Sequence, residues 1–368
     1  LTTATKLFYQ GKFDDVIAMA NAAVVDTDRT LEPWLVLKTK SELATGNYQA
    51  AKETIATGLE QLPFTIQLRW LGESVYRLNN DPERANQIRN EIASLLEKNA
   101  WRFRNVPDQL VVAEFRLANG ADAKRVLDEI YTKAKKLYPD FPLPWLAVGQ
   151  LGLDKNDYDL AATNFTEATK LDPGNPMGHH GLALAFRPSD SEKTQTSIDA
   201  ALEIDPNHVP TLLLVVEMQL AAEAYDDASD TIEQIVTVHP DCPEAWAFRA
   251  VLAHLENKPQ LESKCREHAL QHWPANPQID HLIGRELSKK YRFQEGSDYQ
   301  RRSLKLDENF RPAQMQLAHD LLRLGQELEG WRMAETVFDA DQYNVVANNL
   351  VALRDNMSEY ASAEQNGF

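Results

Sequence analysis

The sequence predicts an all-α chain, folded as a solenoid of stacked antiparallel helix pairs. Three observations predict it. Pro173, Pro206, Pro240 and Pro274 recur at a near-constant interval. That interval is about 34 residues, within the range of helical-repeat arrays. Trp145 precedes Pro173 by the same separation as Trp246 precedes Pro274. At 368 residues the chain exceeds one ordinary core, and a sustained period accounts for that length by repetition. One helix pair cannot bury its apolar stripe alone, whereas stacked neighbours can.

Each element follows from residue chemistry. In 142–175, the small residues Gly149, Ala161 and Ala168 mark close helix approaches, and Trp145, Tyr158 and Phe165 are expected to fill the gaps beside them. Lys155-Asn156-Asp157 reads as a polar turn, with Asp157 placed to cap the next helix. Asp172-Pro173 stops the second helix, because proline disfavours helical geometry in the residue before it and donates no hydrogen bond. Asp205-Pro206 and His239-Pro240 repeat that stop.

Read together as W-x2-L-G-x2-Y…A-x3-F-x2-A…P, these positions resemble the tetratricopeptide repeat, a helix–turn–helix unit. The unit at 142–175 carries most of the pattern. Units at 175–208, 209–242, 243–276, 277–310 and 311–344 keep parts of it, with Pro259 where an aromatic is expected and Arg187-Pro188-Ser189-Asp190 as a rewritten turn. Residues 1–28, 32–65 and 66–98 match more loosely. The period breaks at 99–107, and a degenerate pair with Gly120 at its turn and a long second helix follows. The expected organisation is thus 1–98 N-terminal units, 99–141 insertion and degenerate pair, 142–344 well-matched units, and 345–368 a capping helix or the start of a further unit. The resemblance implies a right-handed superhelix of about nine to ten units, with the first helix of each pair lining a concave face.

Composition narrows the function. The 38 basic and 55 acidic residues leave a net charge of −17, which argues against a broad phosphate-binding surface. The acidity is local: 141–260 holds 6 basic and 19 acidic residues, whereas 1–140 is balanced at 19 and 19. The expected partner is a protein or peptide, with no nucleic acid and no membrane, since the longest strongly apolar run is only Leu212 to Val216. Two cysteines read as reduced thiols, and the expected location is cytoplasmic.

No motif for a catalytic centre, phosphate loop or dinucleotide fold occurs, so no enzyme activity and no cofactor are expected. Cys265, His268 and His272 share a helix face at i, i+3 and i+7, a spacing that zinc could use. They read as packing and surface residues, as does the pair His179-His180, and no metal is expected. Tyr291-Arg292 and Tyr299 to Arg302 mix aromatic and basic side chains and read as packing plus solvated charge.

The family resemblance implies groove-lining positions on each first helix. Carried onto this sequence, those positions include His179, Glu217, His254, His281, Arg285 and His319, with Arg323 one place beyond. The Lys and Asn pattern that grips a C-terminal carboxylate in some family members is missing. The expected function is a non-catalytic scaffold whose groove takes a peptide or acidic segment around His281, Arg285, His319 and Arg323, because guanidinium suits carboxylate. A solvated inner face with salt bridges between helices is the other reading of the same residues. Leu321 to Gly325 and Tyr343 to Leu350 also resemble repeat regions that precede a zinc-metallopeptidase-like (gluzincin) domain. That likeness implies a helper region with a downstream domain beyond Phe368. Self-association through an uncapped apolar end is a third expectation.

Overall fold

The computed structural model describes residues 1–26 and 31–358. Among these, every regular element is helical. Helix α1 (Thr2–Tyr9) pairs with α2 (Phe13–Asp26), α3 (Leu31–Ala44) with α4 (Tyr48–Gln61), and α5 (Gln67–Leu78) with α6 (Pro82–Asn99). A 3-10 turn at Ala100–Arg102 precedes α7 (Val106–Ala118). Its partner is one long continuous helix, in which α8 (Ala123–Val126) runs through a π-helical turn at Leu127–Tyr131 into α9 (Thr132–Leu137). Regular pairs resume with α10 (Leu143–Lys155) and α11 (Tyr158–Leu171), α12 (Pro176–Phe186) and α13 (Ser191–Ile204), and α14 (Val209–Ala221) and α15 (Tyr225–Val238). They continue with α16 (Pro243–Leu255) and α17 (Pro259–Ala269), α18 (Pro277–Lys289) and α19 (Phe293–Leu306), and α20 (Arg311–Arg323) and α21 (Glu327–Ala340). A last helix, α22 (Val345–Ser358), packs on α21. The expected α-solenoid is therefore the observed fold. The remainder of the expected C-terminal segment, 359–368, lies outside the described residues.

Local chemistry sets the boundaries. Asp157 caps α11 by accepting from the Leu160 amide at 3.0 Å, and Asp81 and Asp190 do the same for α6 and α13. Pro259, which breaks the repeat pattern, stands at the first position of α17, where a missing N–H costs nothing. A left-handed residue closes the turn inside almost every pair. Glu223, Asn257, Tyr291 and Gly325 adopt that conformation at successive repeats of the same interval, and Asn156 matches them upstream. The turn at Arg187 to Asp190 departs from this rule.

The core runs along the chain as overlapping apolar clusters. Ala4, Val16 and Trp34 share one; Leu35 to Phe115 form the next; Ile66 to Leu151 the third. The largest joins Leu212 through Phe248 to Tyr299. Phe165 is buried between α10 and α12 as its pattern position requires, but Tyr158 is not: it is 38% exposed, with its hydroxyl turned to Asn156.

Two turns of the solenoid also touch one another. The α1–α2 turn meets the α13–α14 turn, where a Cβ added to Gly11 would lie 2.6 Å from Asp205. The α3–α4 turn meets the α15–α16 turn: the Tyr48 hydroxyl lies 2.8 Å from His239 Nε2 in a hydrogen bond, and a Cβ on Gly46 would lie 2.7 Å from that imidazole. Arg77 lies over the Trp273 ring at 5.7 Å, and Lys155 donates to Asp341 at 2.5 Å. All these partners are far apart along the chain, Tyr48 from His239 by 191 residues and Lys155 from Asp341 by 186. The superhelix thus closes on itself after five to six units.

Candidate binding face on the inner helices

The first helices of successive units pack on each other, α10 on α12 and α16 on α18, and α14 reaches α18 two units away. That contact identifies the inner, tighter wall of the coil. Glu217 stands on it in α14. Its carboxylate accepts from Arg187 at 2.7 Å, Arg285 at 2.6 Å and Lys289 at 3.3 Å. Burial opposes ionisation there, yet Arg285, Lys289 and Arg187 hold the Glu217 pKa down at about 2. Glu286 is buried beside them and pairs with Arg285 at 3.0 Å and Lys289 at 2.6 Å. Three cations thus face two carboxylates, a local excess of one positive charge around Glu217.

His281 lies one helical turn before Arg285. Its Nδ1 is 2.9 Å from Gln300 Oε1, and its ring meets the Phe310 edge. Burial, then the Arg285 charge, pushes its pKa down to about 4, so the ring is neutral at pH 7. On α20, His319 is half-buried, with a pKa lowered by burial and by Arg323. Arg323 is exposed and has no hydrogen bond or ion pair among the described residues.

The structure thus brings Glu217, His281 and Arg285 together, and sets His319 beside Arg323. The other two candidates lie elsewhere. His179 Nε2 rests 3.1 Å from the Pro173 carbonyl. His254 sits between Glu262 and Glu295, with Nδ1 3.0 Å from Glu262 but not aligned as a hydrogen bond. Arg187, Glu286 and Lys289 were not singled out from the sequence. Lys289 carried a signal, four residues after Arg285 on one helix face. Arg187 had none, because its turn departs from the repeat.

The possible zinc spacing resolves into other contacts. Cys265 is buried in the main apolar cluster, and His268 stacks on Trp246 at 3.8 Å. His268 and His272 both approach the Asp241 carboxylate, at 2.9 and 3.2 Å. Among the described residues no group of three potential ligands is placed to hold a metal. His180 packs edge-on against the His208 ring. Arg302 lies over Tyr299 and Arg301 pairs with Glu329 at the surface, whereas Tyr291 at the head of the basic-aromatic run is 83% exposed. No described helix is long and apolar enough to cross a membrane.

In the earlier units the inner wall is different. Lys40, Glu114 and Asp154 all reach solvent, yet burial lowers the Lys40 pKa and raises those of Glu114 and Asp154.

Comparison with known proteins agrees with this architecture. Residues 144–175 and 193–252 match family descriptions reading "Tetratricopeptide repeat", and these segments are tetratricopeptide repeats. No curated protein sequence matches the chain. The crystal structure of the APC/C hetero-tetramer Cut9–Hcn1 aligns at a TM-score of 0.50 and 15% identity, over 90% of this chain and 65% of that one. The chain therefore spans just under two-thirds of that protein's length, and the likeness is one of fold. Yeast Tom70 aligns at 0.45 and 15% identity, covering 97% of this chain and 88% of its own. The human IFIT1 dimer with m7Gppp-AAAA aligns at 0.48 and 10% identity, covering 95% and 87%.

Proposed function

We propose that the chain is a non-catalytic protein-interaction scaffold whose inner wall receives an acidic peptide segment. The observation that carries this reading is the charge imbalance around Glu217. Arg187, Arg285 and Lys289 outnumber Glu217 and Glu286, and Arg323 adds an unpaired guanidinium on the same run of first helices. Arg285 acts mainly by holding the wall together, and Arg323 is the free donor fork for a ligand carboxylate. His319 stands half-buried on the approach, while His281 is buried behind it against Gln300 and Phe310. Excess positive charge within a chain of net −17 selects an acidic segment over a basic one.

The test is binding of an acidic peptide library by fluorescence polarisation, with charge-reversed peptides and a short RNA alongside. Acidic peptides are expected to bind, and Arg323→Glu to weaken them about tenfold or more, a loss of about 1.4 kcal/mol. Binding of RNA but no peptide, or equal binding by Arg323→Glu, overturns the reading.

A second reading draws on α22. Val345, Leu353 and Met357 are exposed on it at 38%, 50% and 51%. An uncovered apolar helix face at the end of a stack favours a further element upon it. A downstream domain, as in the helper region of a larger enzyme, or a second copy would each supply one. Light scattering of the chain across a wide concentration range tests the second copy, and a uniform monomer removes it.

A further inference from the structure

The contact between successive turns of the solenoid has a composition unlike the rest of the molecule. Along the chain as far as Tyr299, neighbouring units share or adjoin apolar clusters. Among the described residues, none of those clusters joins the two turns of the coil. The seam is instead made of helix-connecting turns and polar groups. Tyr48 bonds to His239 and packs edge-on against His272 at 4.8 Å. Arg77 rests on Trp273, and Lys155 pairs with Asp341. An open crevice remains within it, between Gly46 to Ala50 on one side and Gln271 and His272 on the other.

The physics of the two kinds of contact differs. Apolar burial holds units together at roughly 25 cal/mol per Å². Partly exposed ion pairs and single hydrogen bonds add about 1 kcal/mol each or less. The seam is therefore the place where the coil parts with its helices and cores intact. Closed, it joins successive turns of the coil, Tyr48 to His239 and Lys155 to Asp341, and so walls the inner face off from the side. A polymeric ligand could then enter only by threading from an end or by parting the seam.

We propose that this polar seam is a latch, which separates and rejoins with the helix pairs intact and so controls sideways access to the inner wall. Its gating role rests on the reading of that wall as the binding face; the opening itself does not.

Two measurements test it. Spin labels at Asp159 and Gln342, exposed positions flanking the Lys155–Asp341 pair, report the seam without any ligand. Wild type is expected to give a short distance. Asp341→Lys, which sets two cations together, is expected to add a longer one. Lys155→Asp combined with Asp341→Lys is expected to restore the short distance. An unchanged distance in Asp341→Lys with an unchanged helical signal overturns the latch, as does a wild type that is already open. Should Asp341→Lys fail to fold, Tyr48→Phe with labels at Gln49 and Gln271 reads the same opening, and an unchanged distance there overturns it equally. In the second measurement, cysteines at 159 and 342 are joined by a cleavable crosslinker. Association of an acidic peptide is expected to slow about tenfold and to recover on cleavage. An unchanged rate overturns gating. Absence of any peptide binding defeats the binding-face reading and leaves the distance measurement to decide the latch.

Discussion

Arg285 Nη2 donates to Glu217 Oε1 at 2.6 Å, joining helices two units apart and 68 residues distant in sequence. Each side chain was legible as a groove-facing residue, but their mutual engagement was not. The same carboxylate also binds Arg187 and Lys289, so Glu217 acts as the common anion of three helices. Removing that charge while keeping the shape leaves the cations half-buried and repelling. Glu217→Gln is expected to destabilise the chain by about 3 kcal/mol, read as a lower midpoint in urea. Glu217→Leu with Arg285→Leu is expected to recover much of the loss, since an apolar pair leaves fewer unpaired charges buried. Equal midpoints for wild type and Glu217→Gln would show that the cluster is fully solvated.

Burial lowers the pKa of five histidines, His319 among them, and four move far. His208 is pushed down to about 3, and His180, His239 and His281 to about 4, from 6.5. A folded value below the unfolded one means that the unfolded chain binds protons first. The folded state therefore keeps its full stability above pH 6.5 and loses it as pH falls towards 4. Each ring contributes about 1.4 kcal/mol per pH unit across that interval. Urea midpoints are expected to fall steeply between pH 6.5 and 4.5. His239→Gln should flatten the slope by about one proton, and an unchanged slope would place that imidazole in water.

Asp320 has the opposite sign. It is 1% exposed, its Oδ2 has no hydrogen-bond partner, and burial raises its pKa to about 6. A raised folded value gives stability that is present below the ordinary carboxyl range and is lost as pH rises through about 6. Asp320→Asn removes a buried charge at pH 7.5 and is expected to stabilise the chain by about 2 kcal/mol there. At pH 4 the same variant is expected to gain little. A gain of equal size at both pH values would assign the effect to packing rather than to the charge.

The parts of the molecule that were legible share one property, namely that their determinants are local or repeat at a fixed interval. Asp157 capping α11 and the Asp-Pro stops needed only neighbouring residues. The stack of helix pairs needed only the period. Other features lacked such a signal. The π-helical turn at Leu127–Tyr131 leaves no regular spacing. Tyr158 matched the pattern but ended exposed, whereas Tyr48, at the same place in its unit, is buried against His239 and His272. The union of Arg187 with Glu217, and of Tyr48 with His239, depends on how far each unit rotates against the next. That rotation sums over many interfaces, and no single residue encodes it.

Gly46 and Gly120 offer a way to weigh the seam by itself. Both close the turn of a helix pair in the left-handed region, with φ of +75° and +79°. A side chain at either position carries the same backbone strain, about 1 kcal/mol. Their surroundings differ. A Cβ on Gly46 would stand 2.7 Å from the His239 ring, whereas one on Gly120 would meet nothing within 4 Å. Gly120→Ala therefore measures strain alone, and Gly46→Ala measures strain plus displacement of the seam. Gly46→Ala is expected to cost about 1 kcal/mol more than Gly120→Ala in urea denaturation, if His239 must move away from Tyr48 and lose its hydrogen bond. Gly46→Ala made on a Tyr48→Phe background should lose most of that excess, because the bond is already gone and the two changes couple through it. Equal costs for the two alanines would mean that His239 yields freely, and that the turns of the coil meet without holding one another.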